Sequence, residues 1–272
     1  FPDLRYLSWA DDPDIPPALR TVNCANQSAF TTALANAIPG DHIILANGTY
    51  TFGALTKTGT VANPIVIEAA TNGMAVINCT SLQQIYNSSY VILNGLKFTS
   101  SSGTQVFEVN DSRYVRITRC SFDGSGFGPG IAVVDNTASS ATASHHNRYD
   151  HCRFYGKTTT GEYLKYSQAG TNVAISLYDR IDHNFFDGRA LDTGNGSEST
   201  RMGVGNLSLV PSFMVCEFNL YKDCDGDAEV VSVKSSCAIV RSNTYMNCFG
   251  TGVSLRQGTN NEVYGNIVLS GS

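Results

Sequence analysis

A short stretch near the end of the 272-residue chain combines carboxylates, an amine and a guanidinium group. Asp227 and Glu229 are two residues apart, so in a β-strand both carboxylates project from one face. Adjacent carboxylates repel each other unless a cation lies between them, and oxygen ligands favour calcium. Asn195 can add a carbonyl oxygen if it lies one coil earlier. The alternatives are a solvated acidic strand face and, because Asn195 begins an N-x-S sequon, a glycosylated Asn195.

Lys234 and Arg256 follow these acids and are separated by roughly one repeat of the chain. Cations close to an amine favour its neutral form, which can act as a base. Uronic acids offer such a base a target, because calcium can neutralise the carboxylate and make the C5 proton acidic. Arg256 would assist departure of the C4 oxygen, by donating a proton or by organising the donor. The predicted chemistry is β-elimination, which leaves a 4,5-unsaturated sugar; a surface network of ion pairs is the alternative.

A repeated pattern in the sequence indicates how these side chains are brought together. In seven segments a Leu, Cys or Asn is followed two positions later by an aromatic or apolar residue. The first column contains Leu96, Cys120, Cys152, Asn184, Asn219, Asn243 and Asn266, and the second contains Phe98, Phe122, Phe154, Phe186, Tyr221, Tyr245 and Val268. Successive members are 23 to 35 residues apart, which is typical of one coil per repeat with insertions extruded as loops. The pattern predicts an all-β solenoid, with stacked Asn side chains that hydrogen bond between coils; a β-sandwich is the alternative.

The two ends of this solenoid differ in the sequence. Residues 26–38 place apolar side chains at helical spacing behind a capping Asn, and Pro39-Gly40 follows. We expect a cap helix and first strand at about 24–40, which would cover the first coil. Ser272 directly follows a coil, so either the chain is truncated or another segment or partner covers that edge. We expect a single domain over 1–272, with the active-site coils at about 195–266.

Composition restricts the functional class and indicates a compartment. The net charge is −5, so a broad basic surface for nucleic acid is absent, and no apolar run approaches the length of a membrane span. Eight cysteines, a start at Phe1 without Met, and seven N-x-S/T sequons are typical of a secreted protein. The sequons begin at Asn26, Asn47, Asn78, Asn87, Asn110, Asn195 and Asn206.

The cysteines can be paired by their positions in the repeat. Cys224 and Cys248 are in register on adjacent coils, within disulfide reach. Cys120 and Cys152 share a column and are either bonded or free buried thiols. By elimination, the remaining pairs would be Cys216–Cys237 and Cys24–Cys79.

Three segments resemble the signature of polysaccharide lyase family 6, which contains the alginate lyases and chondroitinase B. They are Asn195-Gly-x-Glu-x-x-Arg-x-Gly203, Asp225-Gly-Asp-Ala-Glu-Val-Val-Ser-Val-Lys-Ser235, and Leu255-Arg-Gln-Gly258 followed by Asn261-x-Val-x-Gly-Asn266. The helix followed by Pro39-Gly-Asp-x-Ile-x-Leu and Gly48-Thr-Tyr50 is similar to the opening of that family. The resemblance implies a right-handed parallel β-helix.

The same resemblance implies roles for individual residues. Calcium would be held by Asn195, Asp227 and Glu229, with Lys234 as base and Arg256 as acid. Arg201 would contact substrate, and we also assign Glu198 and Gln257 to substrate binding. Two positions depart from the family, which usually has Glu at position 227 and His at position 257. The second departure concerns contacts with neighbouring sugars.

The resulting hypothesis is a secreted, calcium-dependent polysaccharide lyase that cleaves an anionic, alginate-like uronic-acid polymer. A β-helical glycoside hydrolase similar to polygalacturonase would need paired acids on adjacent coils. Asp223, Asp225 and Asp227 fall on one coil, without an evident partner one coil away. A pectate lyase is closer in chemistry but differs in its sequence pattern, and a non-catalytic glycan-binding solenoid is a further alternative.

Overall fold

The computed structural model of the chain describes residues 15–101, 107–128, 130–135, 144–167, 174–192 and 195–269. Within these ranges it consists of short β-strands, one α-helix, and 3₁₀ turns at Gly124–Gly126 and Gly205–Leu207. None of the described helices has the length and apolar character needed to cross a membrane.

The helix and strands follow one another in a regular order. The first are β1 (Arg20–Cys24), α1 (Gln27–Ala35), β2 (Asp41–Leu45), β3 (Gly48–Tyr50), β4 (Ala54–Leu55), β5 (Ile65–Ala69), β6 (Ala75–Asn78), β7 (Gln83–Tyr86), β8 (Ser89–Asn94) and β9 (Lys97–Thr99). Next are β10 (Phe107–Asn110), β11 (Arg113–Thr118), β12 (Ser121–Asp123), β13 (Gly130–Asp135), β14 (Arg148–Asp150), β15 (Arg153–Tyr155), β16 (Glu162–Tyr166), β17 (Arg180–Asp182) and β18 (Phe185–Arg189). The last are β19 (Thr200–Gly203), β20 (Val215–Glu217), β21 (Leu220–Cys224), β22 (Glu229–Lys234), β23 (Ile239–Arg241), β24 (Thr244–Met246), β25 (Thr251–Gln257), β26 (Glu262–Tyr264) and β27 (Ile267–Leu269).

These strands form three parallel sheets, and each complete coil contributes one strand to each sheet. Sheet A has the order β1-β2-β5-β8-β11-β14-β17-β20-β23-β26. Sheet B runs β3-β6-β9-β12-β15-β18-β21-β24-β27, and sheet C runs β4-β7-β10-β13-β16-β19-β22-β25. The architecture is a right-handed parallel β-helix, which confirms the predicted fold class.

The predicted columns form continuous stacks inside this helix. The rings of the aromatic column, from Phe98 to Tyr245, stack on one another with centroids 4.6–5.1 Å apart. This spacing matches the distance between parallel strands, so each ring packs on its equivalent in the next coil. The Asn column forms the expected ladder: Asn184 Nδ2 donates to Asn219 Oδ1 at 3.0 Å, and Asn219 Nδ2 donates to Asn243 Oδ1 at 2.9 Å. These side chains also satisfy backbone groups at a buried turn, as Asn184 does for Tyr149 O.

The predicted cap helix is present, and it is shorter than its sequence pattern. The side chain of Asn26 accepts a hydrogen bond from Ala29 N at 3.0 Å and so caps α1. Phe30 is fully buried and packs edge-on against Tyr50 in the first coil. At the other edge β27 is exposed, with Ile267 55% and Val268 67% accessible.

The disulfide prediction is wrong for this structure, in which all eight cysteines are free thiols. The predicted register is confirmed for two pairs. The pairing of β21 with β24 places Cys224 beside Cys248, and the pairing of β12 with β15 places Cys120 beside Cys152. The pairs assigned by elimination are not in register in adjacent coils. Cys216 pairs with Val240, so Cys237 lies three residues out of register. Cys24 lies in sheet A, whereas Cys79 follows a strand of sheet B.

Candidate active site

The predicted site residues lie on the outer face of sheet C and in the loops that lead into it. β22 carries Glu229 and Lys234, and β25 carries Arg256, so these three lie on neighbouring strands of one wall. Val230, Val231 and Val233 all belong to the core, so strict alternation is interrupted at Val230–Val231. This interruption lets Glu229 and Lys234, which are five positions apart, both lie on the outer wall. Asp227 precedes β22, so the prediction that it shares a strand with Glu229 is wrong.

A loop contact holds Asp227 beside the segment that contains Asn195. Asp227 Oδ2 accepts hydrogen bonds from Gly196 N at 3.0 Å and Ser197 N at 3.4 Å. Between the two loops Gly226 is required, because a Cβ there would lie 2.5 Å from Ser197 O. The contacting residues of the two loops are 29 to 31 positions apart in sequence, and backbone contact as well as side-chain charge fixes the loops together.

Around this contact the surface forms an open groove of about 460 Å³. Its lining combines oxygen donors, one guanidinium group and apolar side chains: Leu191, Asp192, Asn195, Asp227, Ala228, Glu229, Phe249 and Arg256. Leu191 and Phe249 are 68% and 84% exposed. Three of the lining residues are the predicted calcium ligands, so the structure brings them to one place.

Arg256 and Glu229 form the central ion pair of the groove. Arg256 Nη1 donates to Glu229 Oε1 at 2.5 Å, and this hydrogen bond is the main cause that raises the pKa of the guanidinium above its ordinary value. Arg256 therefore stays charged at neutral pH. Among the described residues Glu229 Oε2 is buried without a hydrogen-bond partner, which is an unfavourable state for a carboxylate oxygen unless a further ligand binds it.

Lys234 lies beside the groove and is anchored by Glu198. Its Nζ donates to Glu198 Oε1 at 2.9 Å, and Glu198 is only 1% exposed. The prediction that Lys234 and Arg256 are direct neighbours needs correction, because the register places Lys234 opposite Gln257. A β-bulge makes Arg256 the extra residue at this point. The charge of Glu198 also helps to raise the pKa of Arg256, so this buried acid interacts with both cations.

The residues predicted to bind substrate have different surroundings. Arg201, on β19, forms an ion pair with Glu162. Gln257 is exposed at the end of β25, with its amide over Gly205. Glu198 lies beneath Lys234 rather than at the groove surface.

Sequence reasoning missed two residues of this wall, Glu162 and Lys165 on β16. Lys165 pairs in register with Arg201, and its Nζ is 3.8 Å from Glu162 Oε2. A signal was present in the sequence, since Glu162-Tyr-Leu-Lys165 has the same spacing as Glu198-Ser-Thr-Arg201 one coil later. The shared spacing predicts two aligned pairs of charged side chains only once the two segments are known to be adjacent strands.

The groove residues fit a hard divalent cation. Asn195, Asp227 and Glu229 supply oxygen atoms, the type that calcium prefers, and Glu229 Oε2 is a buried acceptor without a hydrogen-bond partner. Among the described residues no cluster of three or more His, Cys, Asp or Glu side chains forms a metal site. The donor set here differs from such a cluster, because it contains two carboxylates and one amide.

Fold and site together define a parallel β-helix with a charged groove on one outer wall. A family model described as chondroitinase B matches residues 24–272. The chain therefore belongs to the chondroitinase B family, polysaccharide lyase family 6. No curated protein matches the chain by sequence.

Solved structures of the same family are similar to this chain. The alginate lyase AlyGC superposes with a TM-score of 0.80 at 27% identity, over 92% of this chain and 35% of that one. A mannuronic acid specific family 6 lyase from human gut microbiota gives 0.77 at 26% identity, over 92% and 59% respectively. A family 6 alginate lyase in complex with a trisaccharide gives 0.70 at 21% identity, which supports the fold alone. The chain thus spans between about one third and three fifths of the length of these proteins.

Proposed function

We propose that the protein is a calcium-dependent polysaccharide lyase that cleaves a uronic-acid polymer by β-elimination, with alginate as the first substrate to test. The observation that carries this proposal is the convergence of Asn195, Asp227, Glu229 and Arg256 in one groove, with Lys234 on the same wall. Membership of a lyase family supports the reaction class. The choice of alginate is supported by two similar structures, an alginate lyase and a mannuronic acid specific lyase.

Asn195, Asp227 and Glu229 would hold the calcium ion. When bound, calcium would supply Lewis-acid neutralisation of the uronate carboxylate, which makes the C5 proton more acidic. The protein's own contribution is to position the donors: the backbone N–H groups of Gly196 and Ser197 orient Asp227, and Arg256 orients Glu229.

Lys234 would remove the C5 proton. The electron pair of the C5–H bond would form the C4–C5 double bond as the C4–O bond breaks, and the departing oxygen would take up a proton from water. Glu198 anchors the amine from below at 2.9 Å, which restricts Lys234 to one side of the sugar. Because its pKa is raised, Arg256 keeps its proton and assists the leaving oxygen mainly through hydrogen bonds and charge.

An ultraviolet absorbance assay tests this function, because the conjugated double bond of the product absorbs and hydrolysis products do not. Alginate, dermatan, glucuronan and pectin are incubated with the protein, with calcium and with a chelator. The expected result is an absorbance increase with calcium only. New reducing ends without absorbance would instead show a hydrolase, and substrate retention without either signal would show a binding protein.

We also propose an extracellular location. Sequon residues Asn47, Asn87 and Asn206 are exposed, whereas Asn110 is buried at 6% accessibility and the side chain of Asn26 caps α1. Glycans are therefore expected at the first three positions. Glycosidase treatment and peptide mass mapping of the protein from a secreting host would test this, and absence of all three glycans in that host would contradict it.

A further inference from the structure

Three buried glutamates form a column on the wall that carries the site. The register pairs Leu164 with Thr200 and Thr200 with Val231, so the residues two positions earlier also align. These are Glu162, Glu198 and Glu229, which are 3%, 1% and 8% exposed. Successive carboxylates in this glutamate column are about one strand spacing apart, about 4.8 Å, and would repel each other without compensation.

Each glutamate of the column is compensated by a cation from the next coil. Glu162 pairs with Arg201, Glu198 with Lys234, and Glu229 with Arg256. The last two pairs belong to the proposed catalytic centre. The first pair, one strand further along sheet C, repeats the same arrangement and has no role in the proposed reaction step.

The first pair differs from the other two because it has an additional cation. Lys165 Nζ lies 3.8 Å from Glu162 Oε2, and Lys165 is in register with Arg201. Two cations thus share one carboxylate. Arg201 and Lys165 each keep 19% of their side chain exposed. This position therefore carries one positive charge more than Glu162 neutralises, on side chains that a ligand can reach.

The charges along the wall run from basic to acidic. Glu162 has two cations, whereas the groove around Arg256 contains Asp192, Asp227 and Glu229. On the next two strands, the residues in register with Arg201 are the neutral Ser232 and Ser254. An acidic end suits a metal ion, and a basic end suits a carboxylate.

We propose that Lys165 and Arg201, held by Glu162, bind the carboxylate of a second uronic-acid residue of the same polymer chain. This inference rests on the proposed lyase function and makes its substrate class narrower. Polymers with consecutive uronic acids place a carboxylate on the neighbouring sugar. Polymers that alternate uronic acids with amino sugars, such as dermatan, do not. The site therefore favours a continuous polyuronate, and Lys165 is a determinant of that preference.

Steady-state kinetics on polymannuronate test the role of Lys165. For Lys165→Gln we expect KM to rise about tenfold with kcat nearly unchanged, because a binding contact remote from the reacting bond is lost. Lys165→Arg should restore most of the affinity. The matched control is Lys222→Gln, since Lys222 makes a similar 3.6 Å ion pair with Asp223 on sheet B. An unchanged KM in Lys165→Gln, or an equal rise in Lys222→Gln, would overturn the inference.

A binding measurement separates this inference from the proposed function. Calorimetry with the Lys234→Ala variant compares tetramannuronate with a dermatan tetrasaccharide, with and without Lys165→Gln. We expect Lys165→Gln to weaken tetramannuronate binding about tenfold and to leave dermatan binding nearly unchanged. If the parent protein makes no unsaturated product but this selective loss is seen, the lyase proposal fails and the subsite stands. If product forms and the loss is absent or equal for both ligands, the subsite fails alone.

Discussion

The outer faces of sheets A and C both carry ladders of charged side chains, and the ladders are built differently. On sheet A, Asp150 lies between Arg116 and Arg148, with shortest ion-pair distances of 2.8 and 3.7 Å. Asp182 likewise lies between Arg148 and Arg180, at 2.6 and 3.6 Å. The acids of this ladder are fully buried. Each carboxylate contacts two arginines, one on the preceding coil and one on its own strand, which leaves little capacity for a ligand.

On sheet C, two of the buried acids have one cation each. Glu198 and Glu229 pair through Oε1, and among the described residues the Oε2 atom of each is buried without a hydrogen-bond partner. Buried groups left unpaired reduce stability. The two walls therefore compensate their acids differently: sheet A, the closed wall, gives Asp150 and Asp182 two cations each, whereas sheet C, the available wall, leaves one oxygen of Glu198 and of Glu229 without a partner in the described part of the chain.

The largest effect is expected for the proposed base. Lys234→Ala should lower turnover about a thousandfold, since it removes the group that takes the C5 proton. The melting temperature should fall as well, because the buried Glu198 loses its cation, so turnover is compared at a temperature at which circular dichroism shows both proteins folded. Absorbance kinetics measure the effect, with Lys222→Ala as the control lysine on sheet B. Activity retained in Lys234→Ala would show that Lys234 on sheet C is not the base of the reaction.

The next largest effect concerns the closed wall. Burial alone would raise the pKa of Asp150, but hydrogen bonds from His151 and Arg116 and the charges of Arg116 and Arg148 outweigh it and hold that pKa well below its ordinary value. Asp150→Asn should therefore lower the free energy of unfolding by about 3 kcal/mol at neutral pH.

The pH dependence of that loss has a defined sign. The stabilisation by Asp150 is fully present above the pKa of an unfolded aspartate, about 4, and is lost as pH falls towards the lower folded value. Denaturant titrations should thus show a smaller difference between parent and variant at pH 3 than at pH 7. A difference that stays constant with pH would contradict the ionic origin of the effect.

A smaller effect is expected at the available wall. Glu229→Gln should weaken calcium binding by roughly tenfold or more, because a charged oxygen donor is replaced by a neutral amide. Calorimetric titration of Ca²⁺ without substrate measures this directly. Asp123→Asn is the control, since Asp123 is a partly exposed acid paired with Lys97 on sheet B. Equal calcium affinity in the parent and both variants would show that Glu229 is not a ligand.

The smallest effect compares two buried hydroxyl groups. Ser232 on sheet C is fully buried and its Oγ has no hydrogen-bond partner in the part of the chain that the structure describes, whereas Thr118 on sheet A donates to Asp150 Oδ2 at 2.8 Å. Ser232→Ala should raise the free energy of unfolding by up to about 1 kcal/mol, and Thr118→Val should lower it by about 1–2 kcal/mol. Changes of the same sign in both variants would contradict the proposed difference between the walls.

Much of the fold was predictable because its repeat is local. The i, i+2 relation between Asn184 and Phe186 recurs in every later coil, and strand geometry alone places both side chains on one face. Residue types also indicated where the candidate site lies, since Asp227 and Glu229 are close in sequence and do converge on one groove.

The remaining features depend on contacts between coils. The sequence spacing of Lys234 and Arg256 predicted direct neighbours, but a bulge in β25 shifts the register by one residue. The disulfide prediction paired Cys216 with Cys237 by elimination, and the register separates them. Spacing along a chain gives the number of residues in a coil, whereas bulges and turns decide which residues face each other.

The sequence by itself therefore determined the coil period, the stacked core and the chemical types of the groove residues, because these depend on short-range patterns. Only the tertiary structure decided that Glu162, Glu198 and Glu229 form one column and that Lys165 joins Arg201 beside it. These residues are about 30 or more positions apart along the chain, and only the hydrogen-bond register of parallel strands brings their charges to neighbouring positions.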